Sequence, residues 1–210
     1  ERAPEIGGVW RENTYPGAAC DLPSRLYSFS FEQDYPWSLR YAPQNEIFEY
    51  LKHCIDKYSL TPHIRLDTEV AKATYVDDDF TWKLETKKNE EITADIFVSA
   101  VGLFNNPFVP DIAGRDTFSG AQFHSSRWDH SIDLNGKIIA SIGSGASAIQ
   151  FVPEIAKQAE RVHVFQRTPQ HIFAKGDRAN AQQDHGTSLL QKFSHRRERL
   201  KLFARFEKNS

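Results

Sequence analysis

Lys137-Ile138-Ile139-Ala140-Ser141-Ile142-Gly143-Ser144-Gly145-Ala146-Ser147-Ala148 is the stretch whose reading decides the fold. A short apolar run ends in two glycines one residue apart, and a small residue follows the second by three positions. The run from Lys137 to Ile142 reads as a buried strand. From Ala146 to Ala159 the residues Ile149, Val152, Ile155 and Ala156 recur on one face at helical spacing, with Pro153 a predicted kink. Arg161 to Phe165 alternates as a strand again. Strand, glycine turn, helix and strand over about 30 residues make a β-α-β unit. In that context G-x-G-x-x-A reads as a dinucleotide-binding turn. Gly143 permits the tight turn, Gly145 lets backbone approach a pyrophosphate, and Ala148 lets helix and strand pack closely. Ser144, Ala146, Ser147 and Gln150 complete the candidate set at the helix start. There free N–H groups and the positive end of the helix dipole favour phosphate.

Which nicotinamide such a turn prefers depends on the end of the next strand. An Asp or Glu about 20 residues on would hold a ribose 2′-hydroxyl. Here the strand ends Val164-Phe165-Gln166-Arg167-Thr168, with an arginine and no acid. A guanidinium pairs bidentately with a 2′-phosphate, and Thr168 adds a hydroxyl. The expected cofactor is NADPH. The competing reading is a Gly-Ser loop with a surface arginine.

Further out the pattern is mixed. Residues 1–42 are rich in Gly, Pro, Tyr and Trp and show no sustained period, so they read as ordered loop. A helix is predicted from Pro43 to about Ser59, with Ile47, Tyr50, Leu51, Cys54 and Ile55 on one stripe. Ile64–Val70, Ala71–Val76, Phe80–Glu85 and Ile92–Ala100 read as strands, joined in part by Asp77-Asp78-Asp79 and Lys87-Lys88-Asn89 turns. The tail beyond 175 is polar and helical in tendency; Leu200, Phe203 and Phe206 are placed to dock.

Two further stretches narrow the reading. Residues 118–129 run Phe-Ser-Gly-Ala-Gln-Phe-His-Ser-Ser-Arg-Trp-Asp, directly ahead of the nucleotide-binding strand. Taken alone, Phe118, Phe123 and Trp128 read equally well as core, and His124 as a buried histidine or a base suited to neutral pH. Residues 7–21 run Gly-Gly-Val-Trp-Arg-Glu-Asn-Thr-Tyr-Pro-Gly-Ala-Ala-Cys-Asp, an aromatic-rich loop with glycines able to lie against a flat ligand. The first stretch fits F-x-G-x-x-x-H-x-x-x-W-D and the second G-G-x-W-x4-Y-P-G-x3-D. Both patterns resemble those of the Baeyer–Villiger flavin monooxygenases, within the wider flavin-containing monooxygenase group. The resemblance extends over about residues 1–175, down to Phe165-Gln166-Arg167-Thr168-Pro169. One departure is His171, where that family usually carries an aromatic.

The resemblance implies an α/β fold of two dinucleotide-binding (Rossmann-like, three-layer) domains, both incomplete in this chain. Residues 1–134 would be the FAD-binding part, with the antiparallel strands and the linker fingerprint, and 135–210 the NADPH-binding part. FAD-side candidates are Glu1 for the adenosine ribose, Val70 for the adenine, and Gly8, Trp10, Asp21, Tyr27 and Gly102 near the flavin. Val98-Ser99-Ala100-Val101-Gly102 resembles the strand end that returns the chain to the flavin. Asp21 would orient an arginine that steadies a peroxide anion, and His124 would couple cofactor binding to domain position; these two are the residues assigned a part in the reaction. The implied activity is NADPH- and O2-dependent oxidation of a ketone to an ester or lactone through a C4a-peroxyflavin. An N- or S-hydroxylating flavin monooxygenase and a non-catalytic nucleotide-binding remnant remain alternatives.

Composition bounds the rest. The chain has 210 residues, 40% hydrophobic and 26% charged, with a net charge of −2. No global basic field argues for nucleic acid, and the apolar runs are too short to span a bilayer. No secretory leader is evident, and no metal-ligand spacing either. Cys20 and Cys54 read as reduced thiols of a cytoplasmic protein. The chain opens at Glu1 and contains no methionine, so it is expected to be a fragment. It lacks a first G-x-G-x-x-G for FAD and the peroxide-stabilising arginine, and little flavin binding is expected of it alone.

Overall fold

A computed structural model describes residues 1–173 and 176, which fall in two compact units. The predicted helical tail lies outside the described residues. The larger unit comprises Glu1–Ala18 and Gln44–Ile172; the smaller is described chiefly through Ala19–Pro43.

In the larger unit, the first element is a single turn, α1 (Val9–Glu12), inside the stretch read as loop. One helical turn is too short to leave a periodic trace in sequence. Next comes α2 (Gln44–Lys57), which buries Ile47, Tyr50 and Cys54, three members of the predicted stripe. Its end is set by Ser59, which turns left-handed at φ 52°, while the Leu60 amide reaches back to the Ile55 carbonyl at 2.9 Å. Three antiparallel strands follow in order: β1 (Val70–Val76), β2 (Thr81–Thr86) and β3 (Glu91–Ala94). Trp82 of β2 sits opposite Tyr75 and Ala94, and its ring packs on Tyr75 and Phe97.

Two strand expectations need correction. Ile64–Val70 is not a strand before Val70. Its backbone bonds go to the chain start instead, Thr68 N to the Glu1 carbonyl and Asp67 N to the Ala3 carbonyl, and Asp67 is left-handed at φ 49°. The strand predicted to reach Ala100 stops at Ala94. Residues 96–100 stay without a ladder partner, and Ile96 and Val98 are exposed. An apolar run becomes a strand only when a neighbour takes its amides and carbonyls.

The decisive stretch folds as read. β4 (Ile138–Ile142) and β5 (Arg161–Phe165) pair in parallel, Ile138 against Arg161 through Ile142 against Phe165. Between them runs α3 (Ala146–Ile155), four residues shorter than predicted and passing through Pro153. Ala148 and Ile155 are its buried residues.

In the smaller unit, Ala19 bridges Pro43 and the Cys20 amide donates to the Ala42 carbonyl at 3.0 Å, closing a loop. Ser24 fills its interior: its hydroxyl takes the Ala42 N–H at 2.9 Å and lies 2.9 Å from the Leu39 carbonyl oxygen. Trp37 is buried beside it, donating from Nε1 to Ser28 Oγ at 3.0 Å.

Candidate functional site

The nucleotide turn is built by the end of β4. Gly143 takes φ 105°, a conformation that a side chain disfavours, and its amide extends the ladder to the Phe165 carbonyl at 2.8 Å. Gly145 is the N-cap of α3, and no side chain caps the helix there. The first-turn amides of Ala146, Ser147 and Ala148 are thus available to an anion. A Cβ at Gly145 would meet no atom within 4 Å, so the space in front of the turn is open. Ser144 and Ser147 are half-buried, and Ala148 is packed under the helix. Because β4 and β5 are parallel neighbours, Arg167 and Thr168, two and three residues past β5, leave the sheet at the same end as the turn, and both are exposed. The residues present fit a dinucleotide phosphate: open space, free amides, a positive helix end and an arginine, all at one end of the β4–β5 pair. Gln150 has another partner as well, accepting from the Tyr15 hydroxyl at 2.9 Å.

On the other side, Gly8 is left-handed at φ 52° and starts α1, which carries Trp10. The Trp10 carbonyl accepts from the Gln44 side chain, joining α1 to α2. Glu1 accepts the Ala3 amide on its carboxylate at 2.9 Å, and its carbonyl takes Thr68 N at 2.8 Å, two residues before Val70. Gly102 turns at φ 76°, and Arg2 ties the following loop to the chain start, donating to the Asn105 carbonyl at 3.0 Å and to Asn106 Oδ1 at 3.1 Å. Glu1, Val70 and Gly102 are in this way gathered by backbone and arginine. Asp21, exposed, and Tyr27, partly so, belong to the smaller unit.

The fingerprint stretch precedes β4 in the larger unit. His124 Nδ1 accepts the Ser126 amide at 3.1 Å and lies 2.9 Å from Ser126 Oγ, capping a short 3-10 turn, Ser125–Arg127. Its pKa lies below the usual value near 6.5, first because burial disfavours the imidazolium and second because Arg127 is close. Trp128 packs on Phe123 at 5.1 Å and on Phe151 of α3 at 5.3 Å, and Phe151 meets Tyr15 at 6.1 Å. His130 Nε2 and Thr14 Oγ1 are 2.9 Å apart. An open groove of about 330 Å³ lies beside the linker, between Pro16, Trp128, His130 and Gln158. Among the described residues no three His, Cys, Asp or Glu side chains gather as a metal site.

A family model for flavin-binding monooxygenase-like proteins matches residues 1–185. The chain belongs to the flavin-binding monooxygenase-like family. Over 179 residues it is 49% identical to a Baeyer-Villiger monooxygenase of Streptomyces coelicolor, covering 85% of this chain and 34% of that protein. Cyclohexanone monooxygenase from Rhodococcus sp. Phi1, bound to NADP+, superposes with a TM-score of 0.80 at 39% identity, covering 86% of this chain and 35% of that one. OTEMO in complex with FAD and NADP gives 0.80 at 33% identity, over 85% and 36%. This flavin-binding monooxygenase-like chain therefore spans about a third of the length of the relatives it matches. Its fold is α/β with partial sheets, in accord with those solved neighbours.

Two residues of this family member make contacts that the sequence did not announce. Gly17, φ 78°, is pressed against α3: a Cβ there would lie 2.8 Å from the Gln150 carbonyl oxygen. Its only signal was its place in the Y-P-G pattern. Arg127 bonds two distant stretches of chain, at Glu12 and Asn105, besides its neighbour Ser126, and nothing in the local pattern marked it.

Proposed function

We propose that this chain is the linker-and-nucleotide core of a flavin-dependent monooxygenase that uses NADPH and O2, converting a small ketone to an ester or lactone. The overall balance is ketone, O2, NADPH and a proton giving ester, water and NADP+. Residues 1–134 are assigned to the FAD side and 135–210 to the NADPH side. When bound, FAD and NADPH supply the electron transfer and the activation of oxygen. The chain's own part is binding and orientation. The amides of Ala146, Ser147 and Ala148, with the α3 dipole, hold the pyrophosphate; Gly143, Ser144 and Gly145 keep the approach open. Arg167 and Thr168 select the 2′-phosphate. Gln150 braces the turn helix against Tyr15. Glu1, Gly8, Trp10, Tyr27, Val70 and Gly102 are assigned to FAD, and Asp21 to orienting charge beside it. His124 sets the bend of the linker between the two cofactors.

The observation that carries this reading is the common end of the β4–β5 pair shared by the glycine turn and Arg167. The partners proposed are small molecules and O2. A net charge of −2 speaks against nucleic acid, and no described helix is long and apolar enough to cross a membrane. The buried Cys20 and Cys54 are read as reduced thiols, in keeping with a reducing, cytoplasmic setting. Calorimetry with NADPH and NADH tests the assignment. Micromolar NADPH binding is expected, with NADH weaker, and Arg167→Ala should weaken NADPH by about tenfold or more while leaving NADH unchanged. Equal affinity for the two nucleotides, or an Arg167→Ala variant indifferent to NADPH, would remove the NADPH preference.

A further inference from the structure

Arg127 stands in the variable stretch between His124 and Trp128, where the fingerprint demands no particular residue. Its guanidinium nonetheless meets three acceptors, two of them in distant stretches of chain. Nη1 lies 2.6 Å from Glu12 Oε2 in α1 and donates to the Ser126 carbonyl at 2.7 Å. Nη2 donates to the Asn105 carbonyl, in the loop after Gly102, at 3.3 Å. That same carbonyl takes Arg2 Nη2 at 3.0 Å. The other oxygen of Glu12 holds Arg11 Nη2 at 2.6 Å, and Arg11 Nη1 donates to the Glu5 carbonyl at 2.9 Å. The Glu12 side chain is only 17% exposed and Arg127 is 41% exposed. A solubilising arginine has no reason to give up rotamer freedom to three ordered acceptors.

We infer that Arg127 is a positioning residue: clamped to Glu12, it seats the linker on the α1 loop and so fixes where the nucleotide turn stands. The route is short. Trp128, the next residue, packs on Phe151 of α3, and α3 begins at the turn. A second tie, His130 to Thr14, holds the linker to the same loop three residues on. The guanidinium geometry matters, because only its fork reaches one carboxylate and two carbonyls together; a lysine ammonium keeps the ionic tie but loses the span. The pair is partly exposed and is therefore weakened by salt. The inference rests on the reading above that two cofactors meet across this linker.

The test uses the full-length protein carrying this sequence, with Arg127→Ala, Arg127→Lys, Glu12→Gln and the Glu12→Gln/Arg127→Ala double variant. Amide hydrogen exchange over residues 124–134 is read beside the single-turnover rate of flavin reduction by NADPH and the NADPH Kd. Arg127→Ala and Glu12→Gln should each quicken exchange about fivefold. Reduction should slow by about tenfold, with Kd changed less than about twofold. The double variant should be no worse than Arg127→Ala, since both changes cut one contact, and Arg127→Lys should fall between. Unchanged exchange in both single variants overturns the clamp. So does strict additivity in the double variant, or a loss confined to Kd. If NADPH fails to reduce the wild-type flavin, the functional reading falls, and the exchange pattern still decides the clamp by itself.

Discussion

His124 holds its place as a neutral ring. Nδ1 is the acceptor for the Ser126 amide, so the ring proton belongs on Nε2. Protonating Nδ1 would set a donor against a donor. Burial and the Arg127 charge act in the same direction, and the folded-state pKa is depressed. The consequence for stability has a fixed sign. Above about pH 6.5 the ring is neutral folded or unfolded, and its contribution is complete. Below that, the unfolded chain takes the proton first, so stability falls as pH drops toward and through the lowered folded pKa. His124→Asn keeps an acceptor near the Ser126 amide but cannot titrate. The expected outcome is a urea midpoint that declines between about pH 6.5 and 5 in the wild type, and declines less in His124→Asn. Parallel pH profiles would show that His124 is solvated and unperturbed.

At the scale of elements, two glycines separate fold from site. Gly17 combines φ 78° with a built Cβ 2.8 Å from a backbone oxygen of α3. Gly17→Ala should cost about 1–3 kcal/mol and lower the melting temperature by several degrees, because helix and loop must part. Gly145 is different: its φ is −72° and nothing lies near a built Cβ. Gly145→Ala should melt like wild type yet bind NADPH about tenfold more weakly, since the methyl enters the phosphate space. Equal melting losses in both variants would contradict the distinction. The same contrast explains what the sequence disclosed. The β4–α3–β5 unit was legible because strand, turn and helix are neighbours in sequence and each signal is local; β5 matches to the residue. The stripe of α2 was legible for the same reason. Residues 64–69 and 95–100 were misread because strand formation there depends on partners far along the chain. The contacts of Gly17 and Arg127 were invisible because their partners, Gln150 and Glu12, lie more than a hundred residues away, although Gly17 itself stood in the Y-P-G pattern. The turn's glycines carried a motif; the tie that seats them carried none.

Over the whole molecule, apolar surface decides how the 210-residue chain behaves by itself. Leu103, Phe104 and Phe108 are 90%, 78% and 80% exposed, and they follow Ile96, Val98 and Val101, which are exposed as well. On the second sheet Ile138, Ile142 and Phe165 are each exposed by more than half, and the sheet has only two strands among the described residues. Two strands are rarely stable without further cover, and apolar patches of this kind mark surfaces that associate. Open strand edges add a template for pairing between copies. By contrast α2 buries Ile47, Tyr50 and Cys54, and the Ser24 loop buries Trp37 and Ala42 around a satisfied Ser24 hydroxyl, so part of the chain should fold well while the sheets recruit cover. The expected result is a protein that binds a hydrophobic dye such as ANS strongly and grows in scattering mass with concentration. It should purify with far less than one flavin per chain. A monomeric, dye-silent sample carrying stoichiometric yellow flavin would contradict this. It would show that residues 96–118 and the β4–β5 pair are covered from within the chain, and that the FAD-side residues suffice to hold their cofactor.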